Sequence, residues 1–376
     1  MLKGFYLTLM IGPAIPIPVS QDVIDSLISV EVETTSGSTS SGFELNFSIR
    51  NNSPLVTLFL IGGGANIPLV RVVIMVTING TPDVLIDGVM THHEMRPGAD
   101  GAPATLVIKG KDLSAVMDYI DFSGIPFPAM PAEARVALIL TKYLVFGVVP
   151  MVLPSVLIDI PLPTEQIPFQ RGKDLGYVRQ LAADVGYVFY LEPGPTPGMS
   201  FAYWGPEIKV GAPQSALSIN LDAHTNVETL SFKFDHEKAI IPLVMIQNQV
   251  TKIPFPLPIP PVTPLNPPLG LIPPFPKSFP KIRGTAKLSP IRAIMVGMAK
   301  AAKAADAVTA AGTLNVLRYG RVLKARRLVG VRGAGLAFDG LYYVRSVTHH
   351  IKRGEYKQSF TLSRNGLVST FPKVAA

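Results

Sequence analysis

Leu317-Arg318-Tyr319-Gly320-Arg321, then Asp339-Gly340-Leu341-Tyr342-Tyr343-Val344, Val347-Thr348-His349-His350 and Phe360-Thr361-Leu362-Ser363-Arg364-Asn365-Gly366, form the stretch that decides the fold of this 376-residue chain. Apolar and polar residues alternate through it, with glycines at the corners. Half-buried antiparallel strands have this pattern, and a small β-barrel is the simplest arrangement that closes them. An earlier segment echoes it. Asp87-Gly88-Val89-Met90-Thr91-His92-His93 precedes an apolar strand at Ala104 to Ile108, as Asp339-Gly340 and Thr348-His349-His350 precede one at Gln358 to Leu362. The pattern predicts two related β-barrel domains.

The composition agrees. Hydrophobic residues make up 48% of the chain and charged residues 16%, while 36 Pro and 32 Gly supply more punctuation than a helical protein tolerates. The length allows two or three cores. There is no Cys, which excludes disulfides, thiolate metal sites and cysteine nucleophiles. Met1-Leu2-Lys3-Gly4 leads into an apolar run broken by Pro13, Pro16 and Pro18, unlike a signal peptide, so cytoplasmic residence is expected. Leu144 to Ile158 is shorter than a membrane span and contains Pro150 and Pro154; a buried, partly extended core segment is expected there.

The net charge of +8 is unevenly placed. From Lys281 onward there are 18 Lys and Arg against 3 acids, leaving 16 basic and 23 acidic residues before it. A basic final quarter suits docking to an acidic partner. Nucleic acid is not expected as the main partner, because the charges are scattered along strands and no RNA-reading aromatic signature accompanies them.

Residues 1 to 110 read as the first barrel, with a strand at Phe5 to Met10 and a hairpin of Leu27 to Thr34 with Phe43 to Ile49. A second pair, Val70 to Asn79 with Val84 to Met90, turns at Gly80-Thr81-Pro82-Asp83. Residues 111 to 205 change period and read as a small α+β domain. Leu113, Val116, Met117 and Ile120 have helical spacing, Pro131 and Glu133 open a helix running to Gly147, and Asp174 caps a third that ends at Gly186. Residues 206 to 376 read as the second barrel, with early strands at Val227 to Phe234 and Leu243 to Thr251. The expected class is therefore mainly β with α+β, two barrels joined by a small α+β domain.

Two features interrupt the second barrel. The insertion 253–285 contains 12 Pro among the 27 residues from Pro254 to Pro280, which predicts extended, polyproline-like chain unable to join a central ladder. Its Ile, Leu and Phe argue for burial along a neighbouring subunit, with Pro258, Pro261 and Phe275 as interface candidates. A helix over 289–312 then opens at Ser289-Pro290 and stops at Gly312. Its stripe of Ile291, Ile294, Met295 and Met298 suits a core or a subunit interface, not a cofactor site.

Catalytic and metal-binding patterns are missing. His92-His93 and His349-His350 are adjacent pairs whose rings point to opposite faces of a strand, and His224 and His236 have no ligand motif nearby. Asp83, Asp87, Asp159, Glu165 and Glu192 provide carboxylates with no privileged pair. Nucleophile elbows and phosphate-binding loops are absent, and Gly62-Gly63-Gly64 reads as a mobile turn. Trp204 reads as a packing anchor. No catalytic residue, metal or cofactor is expected.

Several segments together resemble the late control D or tail-hub family of contractile phages and phage-tail-like injection machines, whose hub portion also occurs in type VI secretion spike proteins. They are Leu27-Ile28-Ser29-Val30-Glu31-Val32 with Ser41-Gly42-Phe43-Glu44-Leu45, the run Leu175 to Tyr190, Trp204-Gly205-Pro206, Thr225-Asn226-Val227-Glu228, and Leu317 to Gly366. The resemblance implies a non-enzymatic homotrimer at the centre of a baseplate. Its six barrels would match a hexameric inner tube protein on one side and a trimeric spike protein on the other. It further implies cytoplasmic assembly into a tail-like particle and contacts with other baseplate proteins. Lysozyme-like and needle functions would belong to separate chains. The rival readings are a cell-wall-degrading enzyme delivered by such a particle, and a membrane-contacting protein using Leu144 to Ile158.

Overall fold

The computed structural model describes residues 4–13, 15–49, 69–98, 103–155, 164, 167–247, 253–260, 266–285 and 290–371. Alternation of apolar and polar residues turns directly into sheet. Gly42–Ile49 buries every second side chain, Phe43, Leu45, Phe47 and Ile49, and pairs antiparallel with Leu27–Thr35 as expected. Val70–Ile78 returns through Asn79 and Gly80, both at positive φ (51° and 82°), into Thr81–Arg96. That is the geometry of a two-residue hairpin turn, which lets the second strand begin three residues before Val84.

The protein is mainly β. Thirteen strands share one sheet, and its main path follows Val227–Phe234, Val308–Asn315, Glu355–Arg364, Gly340–Lys352, Leu27–Thr35, Gly42–Ile49, Ala104–Asp112, Thr81–Arg96, Val70–Ile78, Phe5–Pro13 and Ile17–Pro18. Gln214–Ser218 and Leu328–Arg332 branch from Gly340–Lys352. The two strand groups meet where Gly340–Lys352 pairs antiparallel with Leu27–Thr35, from Ser346↔Thr35 to Lys352↔Ser29. One apolar core follows the sheet, from Leu9, Val32, Phe47 and Val76 to Tyr342, Val347 and Phe360. Each echoing segment lies in an antiparallel hairpin, but their histidines differ: His92, opposite Lys109, is exposed, and His349, opposite Gln358, is buried.

The segment between the strand groups forms a separate α+β layer. Val148–Val152 runs parallel to Ser200–Gly205, which pairs antiparallel with Val188–Pro193. The helices Ala132–Thr141 and Asp174–Asp184 cover one face, burying Val136, Leu140, Val178 and Leu181 against Phe189 and Trp204. The residues expected to open this region as a helix instead make a 3₁₀ turn at Leu113–Asp118. Asp174 is not the cap, which is Lys173. The Asp174 carboxylate is buried, accepting from the Tyr143 hydroxyl at 2.7 Å and Gln170 Nε2 at 2.6 Å, with Lys142 Nζ 2.5 Å away. Leu144 to Ile158 departs from the expected buried segment: Leu144, Val145, Val149 and Met151 are exposed, and residues 156–158 lie outside the described part.

The helix expected to reach Gly312 ends at Ala304, and Val308–Asn315 is a strand between Val227–Phe234 and Glu355–Arg364. The alanines carry helix propensity, but pairing with two strands and burial of Val308, Ala310 and Leu314 in the main core outweigh it. Gly312 fits that strand because a Cβ there would lie 2.4 Å from the Thr229 carbonyl oxygen and 2.8 Å from the Phe360 ring.

The Pro-rich insertion is partly paired, correcting the purely polyproline expectation. Pro254–Pro258 pairs with Leu243–Gln247 as the edge of a three-stranded sheet, and Gly270–Ile272 pairs with Leu367–Ser369. Pro254, Pro256 and Pro258 alternate opposite Gln247, Met245 and Leu243. Successive N–H groups of a strand point to opposite sides, so spacing Pro by two residues removes donors from one side only. Phe255 and Leu257 keep theirs for the ladder, while the free edge offers none to a further strand.

Candidate assembly surface

A buried charged cluster fastens the junction of the segments. Lys209 Nζ lies 2.9 and 3.1 Å from the two carboxylate oxygens of Asp306, just after the helix Pro290–Ala304. Arg345 donates to the same carboxylate and to Glu207 at 3.4 Å, and the Ser363 hydroxyl donates to Asp306 at 3.0 Å. Burial would raise the Asp306 carboxyl, but the charges of Lys209 and Arg345 outweigh it and hold the carboxyl below the usual aspartate range. Arg71 and Asp87 form a second buried pair, bidentate at 2.8 and 2.7 Å, and Arg71 also reaches the Gly198 carbonyl at 3.0 Å. These groups are saturated by their own chain, which is how a structural cluster differs from a catalytic one.

Five basic side chains of the final quarter are answered by carboxylates from earlier in the chain. Lys324 pairs with Asp83, Arg327 with Glu192, Arg345 with Glu207, Arg353 with Asp25 and Lys357 with Glu228. Part of the sequence asymmetry is therefore a record of long-range contacts.

The other expected residues do not converge on chemistry. His92, His93, His224 and His236 are exposed, and no group of three metal-ligating side chains occurs among the described residues. His349 is buried, with its Nδ1 2.7 Å from the Tyr356 hydroxyl and 3.3 Å from Gln358 Nε2. Burial, with the nearby charges of His350 and Lys324, pushes its pKa down to about 3. Asp83 and Glu192 do share a crevice, but its volume is about 60 Å³ and each is already paired with a base. Asp159 and Glu165 lie outside the described residues, as does Gly62-Gly63-Gly64. Trp204 is fully buried, edge-on to Tyr187.

The interface candidates divide by exposure. Met295 packs into the α+β core, while Ile294 and Met298 lie against Val244, Ile246 and Ile259. Gly297 faces Val244 and Ile259, where a Cβ would lie 2.5 Å from one and 2.8 Å from the other. Ile291 is 39% exposed. On the Pro-rich insertion Pro258 is exposed and Phe275 is 82% exposed, with Leu271, Ile272 and Phe279 also open to solvent; Pro261 lies outside the described residues. So many large apolar groups on one short segment mark a surface suited to a protein contact.

A second surface has the opposite character and was not anticipated from sequence. Thr229, Thr313, Ser359 and Thr348 align across four strands, and Ser231, Ala311, Thr361 and Ser346 form the adjacent row. Thr229 and Thr313 hydroxyls are 2.8 Å apart, and those of Ser346 and Thr361 2.6 Å. The result is a patch of small hydroxyl side chains, bordered by Glu33 opposite Thr348, by Lys233 and by Lys357. Its signal lay in the outward positions of strands whose pairing order the sequence alone does not reveal.

Among the described residues, no helix is long and apolar enough to cross a membrane. No protein-family model matches the sequence, and no curated protein matches it. Solved structures do. A tail protein from Neisseria meningitidis aligns over 97% of this chain and 98% of its own, with a TM-score of 0.63 and 13% identity. The 43 kDa tail protein of prophage MuSo2 from Shewanella oneidensis aligns over 96% and 98%, with a TM-score of 0.60 and 12% identity. An E. coli component of the type VI secretion system, itself similar to bacteriophage T4 tail proteins, aligns over 90% of this chain and 73% of its own, with a TM-score of 0.54 and 12% identity. The chain shares the fold of these proteins.

Proposed function

We propose that the protein is a structural, non-enzymatic baseplate hub of a contractile phage tail or phage-tail-like injection system, related to the late control D group. The observation that carries this reading is the end-to-end match to a tail protein, 97% of one chain on 98% of the other.

In this reading three copies assemble in the cytoplasm around a central axis. Two β-domains per copy, within 1–110 and 206–376, give six similar units toward a hexameric inner tube and three-fold symmetry toward a spike. The α+β part, 111–205, spaces them, and the insertion 253–285 lies along a neighbouring subunit through Phe275 and its surroundings. The hydroxyl patch suits the lumen, because small side chains without large apolar groups bind passing cargo weakly.

Quantitative mass spectrometry of sedimented particles tests it. A constant ratio of about three copies per particle end, far below a co-sedimenting tube protein, is the expected result. Absence from every such particle, or a copy number equal to that of the tube protein, overturns it.

A further inference from the structure

The two strand groups repeat one pairing scheme. In the first, Leu27–Thr35, Gly42–Ile49, Ala104–Asp112, Thr81–Arg96 and Val70–Ile78 lie side by side in that order; in the second, Val227–Phe234, Val308–Asn315, Glu355–Arg364, Gly340–Lys352 and Leu328–Arg332 do so. The register irregularities repeat as well. One falls between Leu27 and Ser29 and its counterpart between Val227 and Thr229, while the step from Met90 to His92 matches that from Val344 to Ser346. Val89, opposite Arg71 and Lys111, thus corresponds to Tyr343, opposite Leu328 and Ser363. Bulges pin register, so His92 corresponds to Ser346 and Thr229 to Ser29.

One relation is not repeated. Residues 346–352 have a strand on each side, Glu355–Arg364 and, across the junction, Leu27–Thr35. Their counterpart, residues 92–96, has Ala104–Asp112 on one side, no strand on the other among the described residues, and is exposed throughout. The counterpart of Leu27–Thr35 is likewise one-sided, because Val227–Phe234 ends the sheet. The Asp235 N–H donates inward to the Ala307 carbonyl, so alternation turns the N–H and C=O groups of Leu230, Phe232 and Phe234 to the open edge. An unpaired edge is a ready template for another strand.

We propose that these two edges pair antiparallel between copies of the chain, residues 91–96 of one beside 229–235 of the next, in the register of the internal junction. That junction sets Ser346 opposite Thr35 and Thr348 opposite Glu33, so its counterpart sets His92 opposite Asp235 and Glu94 opposite Lys233. Opposite charges therefore meet on one face, and Glu94 exchanges a partner on its own strand, Arg96, for one across the interface. On the other face Met95, 47% exposed, meets the half-buried Phe232. A slip of two residues sets Glu94 against Asp235 or Ser231 and loses the match. Pairing stops at Pro97, which has no N–H to donate. The contact is head-to-tail between different surfaces, the kind that closes copies into a ring. It rests on the hub reading and adds to it the surface by which copies meet.

Because the chain has no Cys, engineered disulfides report the register directly. The Ser36 N–H donates to the Arg345 carbonyl, which makes Thr348 and Glu33, and by correspondence Glu94 and Lys233, a non-hydrogen-bonded pair with Cα atoms about 4.5 Å apart, within disulfide reach. Glu94→Cys with Lys233→Cys, oxidised in the purified chain and in sedimented particles, is expected to give covalent dimers and trimers on denaturing gels. Glu94→Cys with Thr229→Cys, on the same face but four residues out of register, is expected to give none. Lys233→Glu should weaken self-association about tenfold, and adding Glu94→Lys should restore it, which a folding defect would not allow. A reversal without effect, equal cross-linking of the two pairs, or a three-copy particle without the 94–233 disulfide overturns the pairing and leaves the hub reading in place. A chain absent from every particle and monomeric when purified overturns both.

Discussion

Lys209 Nζ sits 2.9 Å from the Asp306 carboxylate, with both side chains almost fully buried and 97 residues apart in sequence. The pair ties the segment leaving the α+β layer to the turn that launches the Val308–Asn315 strand.

Truncating one member of such a pair strands the other charge out of water. Asp306→Ala is expected to destabilise the protein by about 3–5 kcal/mol, measured by denaturant unfolding. The double change Lys209→Met with Asp306→Leu removes both charges and should recover much of that loss, although Arg345 then keeps only Glu207.

Acid should weaken the fold through His349. Its pKa is lowered in the folded protein, so the unfolded chain binds a proton first as pH falls below about 6.5. Between there and about pH 3, stability is expected to fall by about 1.4 kcal/mol per pH unit from this residue. Above that window the histidine is neutral in both states and contributes no slope. His349→Gln should flatten the profile in that range, as measured by urea unfolding at a series of pH values.

Gly312→Val places a side chain against the Thr229 carbonyl and the Phe360 ring. Overpacking of this kind costs about 1–3 kcal/mol, and the melting temperature should drop accordingly. A wild-type melting temperature would show that the neighbouring strand moves freely, contrary to its place between two paired strands.

Phe275→Ser with Phe279→Ser tests the exposed insertion. Both side chains are open to solvent, so the isolated chain's stability should change by less than about 0.5 kcal/mol. Sedimentation should show fewer assembled complexes. Unchanged assembly would remove this segment from the proposed interface.

The strands were readable wherever one face was buried. Val227–Phe234 and the hairpin built on Phe43, Leu45 and Phe47 follow from period-two alternation, and the helix after Lys173 from period-3.6 spacing. Non-local forces set the rest. The run from Ala299 to Gly312 looks helical by local propensity, yet its second half is claimed by strands from 80 residues before and 50 after. The Pro-rich insertion shows how a residue that breaks ladders can still occupy one edge. The hydroxyl face was invisible because nothing in the sequence shows that Val227–Phe234, Val308–Asn315, Glu355–Arg364 and Gly340–Lys352 lie side by side.

The seven-residue pairing of Leu27–Thr35 with Gly340–Lys352 constrains how the chain can be made. During synthesis the early strand must wait for more than three hundred further residues before its second neighbour emerges from the ribosome. Through that interval its edge is open to wrong partners, and closing so distant a contact is slow. Newly made chains should therefore need shielding by a chaperone, or early meeting with sister chains, more than a protein of similar size whose neighbouring strands follow one another in sequence.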